Sequence, residues 1–227
     1  MDRSREGSQP LAFDHKHVPA PARWMVDLSE PLKQRIVSDS QTKFFARGSK
    51  IYAEGDEPGG IYGIVDGVVA AHGGEATLLI GHLLGPGTWF GESAALTRLP
   101  RGMSATAMTE TCVTYLAADA IEEIGSEYPE LWRGLASLAA TNTYILLQVA
   151  SDLMITRPEA RVIAVLRRLG DSLGIDMPIP LSQEQLADMC VLSRGAVSRI
   201  LSRLESAGKV RRGYREIWWL GDRHRSW

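Results

Sequence analysis

Apolar residues fall into distinct textures along the chain. Between Lys43 and Leu116 they come in short β-prone runs, FFARG, IYAEG, IYGIVDGVV, ATLLIGHLL and CVTYLA, separated by turns such as Glu54-Gly55-Asp56, Asp66-Gly67 and Gly73-Gly74. Short runs punctuated in this way predict antiparallel strands closing into a barrel or roll. From Pro129 to Thr156 the period becomes helical, and Leu131, Leu135, Leu138, Asn142, Ile145 and Val149 step by four and three residues in turn. That is a heptad seam. A second stripe, Trp132, Ala139, Leu146 and Leu153, runs beside it. The pattern predicts a helix whose second stripe packs on the roll while Leu135, Leu138, Asn142, Ile145 and Val149 meet an identical helix, with Asn142 holding a two-stranded register. A single amphipathic helix buried in a monomer fits the same spacing.

Arg157-Pro158 breaks that helix, because proline lacks a donor and disfavours helix in the residue before it. A hinge between domains is expected there. Ala160 to Leu173 reads as a further amphipathic helix, with Val162, Ile163, Val165, Leu166 and Leu169 inward and Arg161, Arg167 and Arg168 outward. Two short helices joined by a tight turn then fit Leu181 to Glu205. Ser182 and Ser193 stand at their N-termini, and Leu186, Ala187, Cys190, Val197, Ile200, Leu201 and Leu204 supply a small shared core. Gly208 to Trp219 reads as a basic hairpin, with Trp218 or Trp219 against the helices. Near the N-terminus, Leu32, Ile36 and Val37 predict a short helix over about residues 28–38 with Ser29 as its cap, whereas residues 1–22 show no periodicity and are expected to form a disordered tail. The fold class is therefore α+β. A jelly-roll-like antiparallel sensor roll spans 23–128, a dimerisation helix 129–156, and a winged helix-turn-helix 157–227.

Composition sharpens this picture. At 227 residues and 44% hydrophobic, the chain is long enough for two cored domains. Its formal charge of -2 conceals +5 over residues 157–227 and -7 over 1–156. A basic end on an acidic body suits a protein that meets a polyanion with that end only. No apolar run approaches the roughly 20 residues of a membrane span, nor does the N-terminus carry a secretion signal, so a cytoplasmic protein with no membrane partner is expected. Cys112 and Cys190 have neither CxxC spacing nor a histidine cluster, which predicts packed thiols and no metal site. A redox switch at Cys190 is the sharper alternative.

The second helix of the pair is the expected DNA reader. Its outward residues include Arg194, Ser198 and Arg199, and the arginine fork matches guanine O6 and N7 in the major groove. Arg203, one turn on, is placed for phosphate. The hairpin, with Arg212, is placed to grip the backbone. Ser182, Gln183, Ser193 and Gly195 complete the expected DNA-binding set.

The order of parts resembles the CRP/FNR family of bacterial transcription regulators over about residues 40–222. The resemblance rests on Gly48-Ser49 with Glu54-Gly55-Asp56, Ile64-Val65-Asp66-Gly67-Val68-Val69, Gly87-Thr88-Trp89-Phe90-Gly91-Glu92, and Leu181-Ser182 through Leu204-Glu205. It implies a homodimer on double-stranded DNA, RNA polymerase as a partner, and base contacts at Arg194, Gly195, Ser198 and Arg199. Gly195 departs from the family's glutamate, which reads a cytosine amino group, so half-site preference should differ. The cysteines that hold an iron–sulfur cluster in the oxygen-sensing branch are absent.

A cyclic-nucleotide roll needs a glutamate for the ribose hydroxyls and an arginine for the phosphate. Gly91-Glu92-Ser93 supplies the first. Where the family has Arg-Ser/Thr-Ala, this chain has Met103-Ser104-Ala105, and Arg101 lies two residues earlier, about 6 to 7 Å along a strand. The dimer-helix positions that meet adenine in the cyclic AMP receptor are placed on Leu146 and Leu147. The expected effector pocket is thus Gly91, Glu92, Ser93, Arg101, Ser104 and Leu146, with an apolar or unidentified ligand, or none, favoured over cyclic AMP and no certain cofactor. Haem at His72 or His82 is the lesser alternative to exposed strand histidines. A cupin-like enzyme would need a His-x-His…Glu set that the roll lacks. A module that binds protein through its winged helix is the other competing reading, against which the arginines of the reading face weigh.

Overall fold

The computed structural model describes residues 23–73, 79–174 and 176–221. The tail expected over 1–22 lies outside them. After a 3₁₀ turn (Arg23–Met25) and helix α1 (Glu30–Asp39), the strands are β1 (Gln41–Phe45), β2 (Lys50–Tyr52), β3 (Ile61–Asp66), β4 (Val69–Gly73), β5 (Leu79–Leu84), β6 (Trp89–Phe90), β7 (Ser104–Ala107) and β8 (Thr111–Leu116). A short helix α2 (Glu92–Thr97) interrupts them. They pair as two antiparallel sheets, ordered β1-β8-β3-β6 and β2-β7-β4-β5.

Strand alternation separates two apolar layers. Tyr62, Ile64, Phe90 and Val113 of the first sheet meet Val69, Leu84 and Ala105 of the second, which forms the roll interior. Their neighbours Ile61, Trp89 and Leu116 turn the other way, against α1, α3 (Ala118–Glu127) and the start of α4 (Glu130–Met154). Gly63 makes room for this layer, since a Cβ there would come within 2.4 Å of the Trp89 ring.

Helix α5 (Pro158–Leu173) opens the C-terminal part, followed by α6 (Gln183–Met189), α7 (Arg194–Ser206) and the hairpin β9 (Val210–Gly213) and β10 (Glu216–Trp219). Ser182 forms a capping box with Gln185, and the Ser193 hydroxyl accepts from the Ala196 amide at 3.2 Å. The core of these helices extends across the hinge to Val68, Ala70, Leu83 and Met108 of the roll. Hence α5 sits directly on the second sheet. Trp219 packs at Gly170, while Trp218 stacks on Arg211.

Several expectations need correction. Ser29 does not cap α1; its amide and hydroxyl both donate to Glu130 at the start of α4. Arg168, expected outward, is buried and bonded to Asp152 at 2.7 Å. His72 and His82 are buried, not exposed. The first half of the expected helical seam also faces inward. Leu131, Leu135 and Leu138 are buried against their own roll, and Asn142 donates to the Trp89 carbonyl at 3.2 Å. Over this half the heptad pattern reports an intrachain contact because the roll offers an apolar surface to the stripe, whereas Ile145 and Val149 are half-buried. The opposite side of α4 shows Ala136, Ala140, Leu147, Ala150 and Met154, all exposed, with Thr143 exposed at its edge.

Candidate DNA-reading face and effector cavity

Helix α7 is amphipathic in a simple way. Val197, Ile200, Leu201 and Leu204 are buried, while Arg194, Gly195 and Arg199 are exposed and Ser198 is half-buried. Ser193 holds its first turn. The helix N-terminus therefore presents unpaired amides beside Arg194, a combination that attracts phosphate or a base edge. Ser182, Gln183, Arg194 and Arg212 line one groove of about 350 Å³ between α6, α7 and the hairpin. Four of the expected residues thus come together.

Two arginines behave differently from expectation. Arg203 reaches back to Glu159 of α5, with Nη2 donating at 2.8 Å. Arg212 is held by Glu205, and Arg212 Nη1 lies 3.4 Å from the Ser202 hydroxyl. These pairs fasten α7 to α5 and to the wing. The wing's outward groups are instead Arg211, Tyr214 and Arg215, with Tyr214 91% exposed at the tip. Arg215 adopts φ +58° in that tight turn. Turn residues flanked by a two-strand basic hairpin were the available signal for them.

A second cavity, of about 360 Å³, opens between the roll and α4. Gly91, Glu92, Ser93, Arg101 and Leu146 line it as expected. Arg101 reaches it because its loop folds under the strand: Nη1 donates to Gly91 O and Nη2 to Gly60 O, both at 2.8 Å, and the guanidinium lies 4.4 Å from the Tyr52 ring centre. Burial pushes the Glu92 carboxyl up, partly opposed by a hydrogen bond from Asn142. Leu84, Phe90, Leu96, Met103 and Ile145 give the remaining wall an apolar character.

Ser104 is not on this wall; its hydroxyl accepts from the Glu54 amide at 2.9 Å. Leu147 is also absent from it, being 60% exposed on the far side of α4. Asn142 and Thr143 bring polar groups to the helix side of the cavity, where two leucines were expected. His82 lines it too, 4% exposed. Its position two residues before Leu84 on a strand was the signal that it faces inward. Burial, then the positive charge of Arg168, pushes its pKa down to about 3. Among the described residues no group of three or more His, Cys, Asp or Glu is placed to hold a metal. Cys190 is fully buried, and burial pushes its thiol up to about 12, which favours the thiol over the reactive thiolate.

A ligand-sized cavity in a β-roll, joined by a long helix to a capped helix pair with an arginine face, defines a DNA-binding regulator with a sensor domain. Comparison with known proteins agrees. Residues 42–128 match the model of the cyclic nucleotide-binding domain, and residues 160–225 that of the Crp-like helix-turn-helix domain. The chain is 31% identical over 184 residues to a cyclic AMP receptor protein of Thermus thermophilus, covering 76% of this chain and 81% of that one. It is 28% identical over 177 residues to a CRP-like cAMP-activated global transcriptional regulator of Mycobacterium tuberculosis, covering 74% and 78%. Its fold resembles that of FixK2 from Bradyrhizobium japonicum, with TM-score 0.70 at 22% identity over 82% of this chain and 94% of the other. The chain belongs to the CRP/FNR family of DNA-binding transcription regulators. It is a regulator, not an enzyme. No helix among the described residues is long and apolar enough to cross a membrane.

Proposed function

We propose that the protein acts in the cytoplasm as a homodimer that reads an inverted repeat in double-stranded DNA and acts on RNA polymerase. The observation that carries this reading is the α7 surface, where Arg194, Gly195 and Arg199 stand exposed opposite a fully buried apolar face. Two such helices about 34 Å apart would enter successive major grooves. Pairing runs through Ala136, Ala140, Leu147, Ala150 and Met154, where the alanines allow close helix approach, and Thr143 borders both this face and the cavity. Arg194 and Arg199 read bases, and Arg211 and Arg215 meet phosphate.

The effector is a small, mainly apolar molecule in place of cyclic AMP. One curated relative is named as cAMP-activated, but here Met103 replaces the usual phosphate cation, and Arg101 already donates to two carbonyls. A phosphate would have to compete with both. The test is selection of duplexes from a random pool by the purified protein, with and without cyclic AMP. An inverted repeat recovered equally in both supports the proposal. Recovery only with cyclic AMP overturns the effector assignment, and no enrichment in either overturns DNA reading by α7.

A further inference from the structure

His82 stands where three parts of the chain meet. Its Nδ1 lies 2.6 Å from Nη1 of Arg168 on α5. A guanidinium can only donate, so Nδ1 accepts and the ring proton of the neutral imidazole resides on Nε2. Arg168 Nε donates in turn to Asp152 Oδ2 near the end of α4 at 2.7 Å. The Arg168 and Asp152 side chains are nearly sealed from solvent. Two further contacts press α5 on β5. The Ser172 hydroxyl donates to Leu83 O at 2.9 Å. A Cβ at Gly85 would come within 2.8 Å of Ser172 O and 2.9 Å of Leu173 Cα.

One atom in this arrangement has no partner. His82 Nε2 is buried without a hydrogen bond, as are His72 Nδ1, Trp24 Nε1 and Trp89 Nε1 among the described residues. Of these four residues only His82 lines the effector cavity. An unsatisfied buried donor raises the free energy of the state that contains it, and a cavity ligand that offers an oxygen removes that cost.

We propose that His82 is the positioning residue through which the cavity governs the seating of the DNA-binding domain, and that the effector presents an acceptor oxygen (carbonyl, carboxylate or phosphoryl) to Nε2–H. An acceptor at Nε2–H polarises the ring and makes Nδ1 a better acceptor for Arg168. Ligand and seated α5 therefore stabilise each other, and the coupling is reciprocal. A ligand that offers only donors leaves Nε2–H unmatched. The ligand half of this inference rests on the cavity being the effector site; the tie between His82 and α5 does not.

The experiment uses the full chain. In the nitrogen-15 spectrum of labelled histidine, assigned by the signals lost in His82→Asn, the wild-type ring should carry its proton on Nε2 with Nδ1 bare near neutral pH. The opposite tautomer or an imidazolium overturns the proposal. Hydrogen exchange across residues 158–173 should be about tenfold faster in His82→Phe, which keeps a ring but removes the acceptor, and close to wild type in His82→Asn, whose amide oxygen replaces Nδ1. Equal exchange in His82→Phe and wild type refutes the tie to α5. Benzoate at high concentration should slow exchange in α5, while benzylamine, of similar shape but without an acceptor, should not; failure of benzoate, or equal protection by both, refutes the acceptor assignment. Failed duplex selection would sink the DNA-reading proposal and leave these results intact, whereas normal selection with unchanged exchange in His82→Phe sinks only this inference.

Discussion

His82 is neutral in the folded protein because charging it would put a second cation beside Arg168 in a buried place. Arg168 itself is balanced by Asp152, and the charged groups on the cavity side are Glu92 and Arg101. A folded pKa of about 3 lies below the free value of about 6.5, so the unfolded chain binds more protons as pH falls. The stability contributed by neutral His82 is complete above about pH 6.5 and is lost progressively as pH drops toward the folded value. Urea unfolding at about pH 7.5 and about pH 5.5 should show wild type losing about 1 kcal/mol more than His82→Asn. Equal losses would mean that the histidine titrates normally. Arg101 illustrates the opposite kind of residue. Its charge is visible in the sequence, but its place in the cavity depends on the carbonyls of Gly60 and Gly91, which only the folded loop brings within reach.

At the level of elements, local signals were read correctly where one segment decides the outcome. The Ser182 capping box, the Ser193 cap and the proline that opens α5 all lie where short-range chemistry puts them. Ser182→Ala should cost about 1 kcal/mol in the unfolding of the C-terminal domain. Helix α4 shows the limit of such reading. Periodicity identifies an apolar stripe but not its partner, and α4 has two stripes on opposite sides. Leu135 sits in the core at 0% exposure, so Leu135→Ala should destabilise the monomer fold by about 2 to 5 kcal/mol. Leu147 has no intrachain core around it. Leu147→Lys should leave the unfolding of each protomer nearly unchanged yet lower the average mass in light scattering toward the monomer. A dimer that persists in Leu147→Lys but dissociates in Val149→Lys would restore the original seam. Strands β6 and β7 and helix α2 were not legible for a related reason, since they are short and gain their definition from the sheets they join.

Across the whole molecule, charge decides how the protein meets DNA. The segment 157–227 carries +5 against -7 on the rest, so attraction is confined to the end that bears α7 and the wing. Not every arginine there is available to phosphate. Arg203 and Arg212 already pair with Glu159 and Glu205, and a phosphate would have to displace a carboxylate to reach them. Arg215, exposed at the wing turn, has no such competitor among the described residues. Removing it should therefore weaken binding to every duplex alike and make the slope of log affinity against log salt shallower by about 0.9, the value for one released phosphate contact. Arg199→Ala should behave differently, costing about 1 to 3 kcal/mol on the preferred duplex and relaxing choice at one base pair. Titrations of both variants against the selected duplex and a scrambled one, over a range of salt, separate the two roles. If Arg215→Ala instead blurs sequence preference, the wing reads bases, and if Arg199→Ala loses affinity equally on both duplexes, α7 touches the backbone at that position and the readout passes to Arg194.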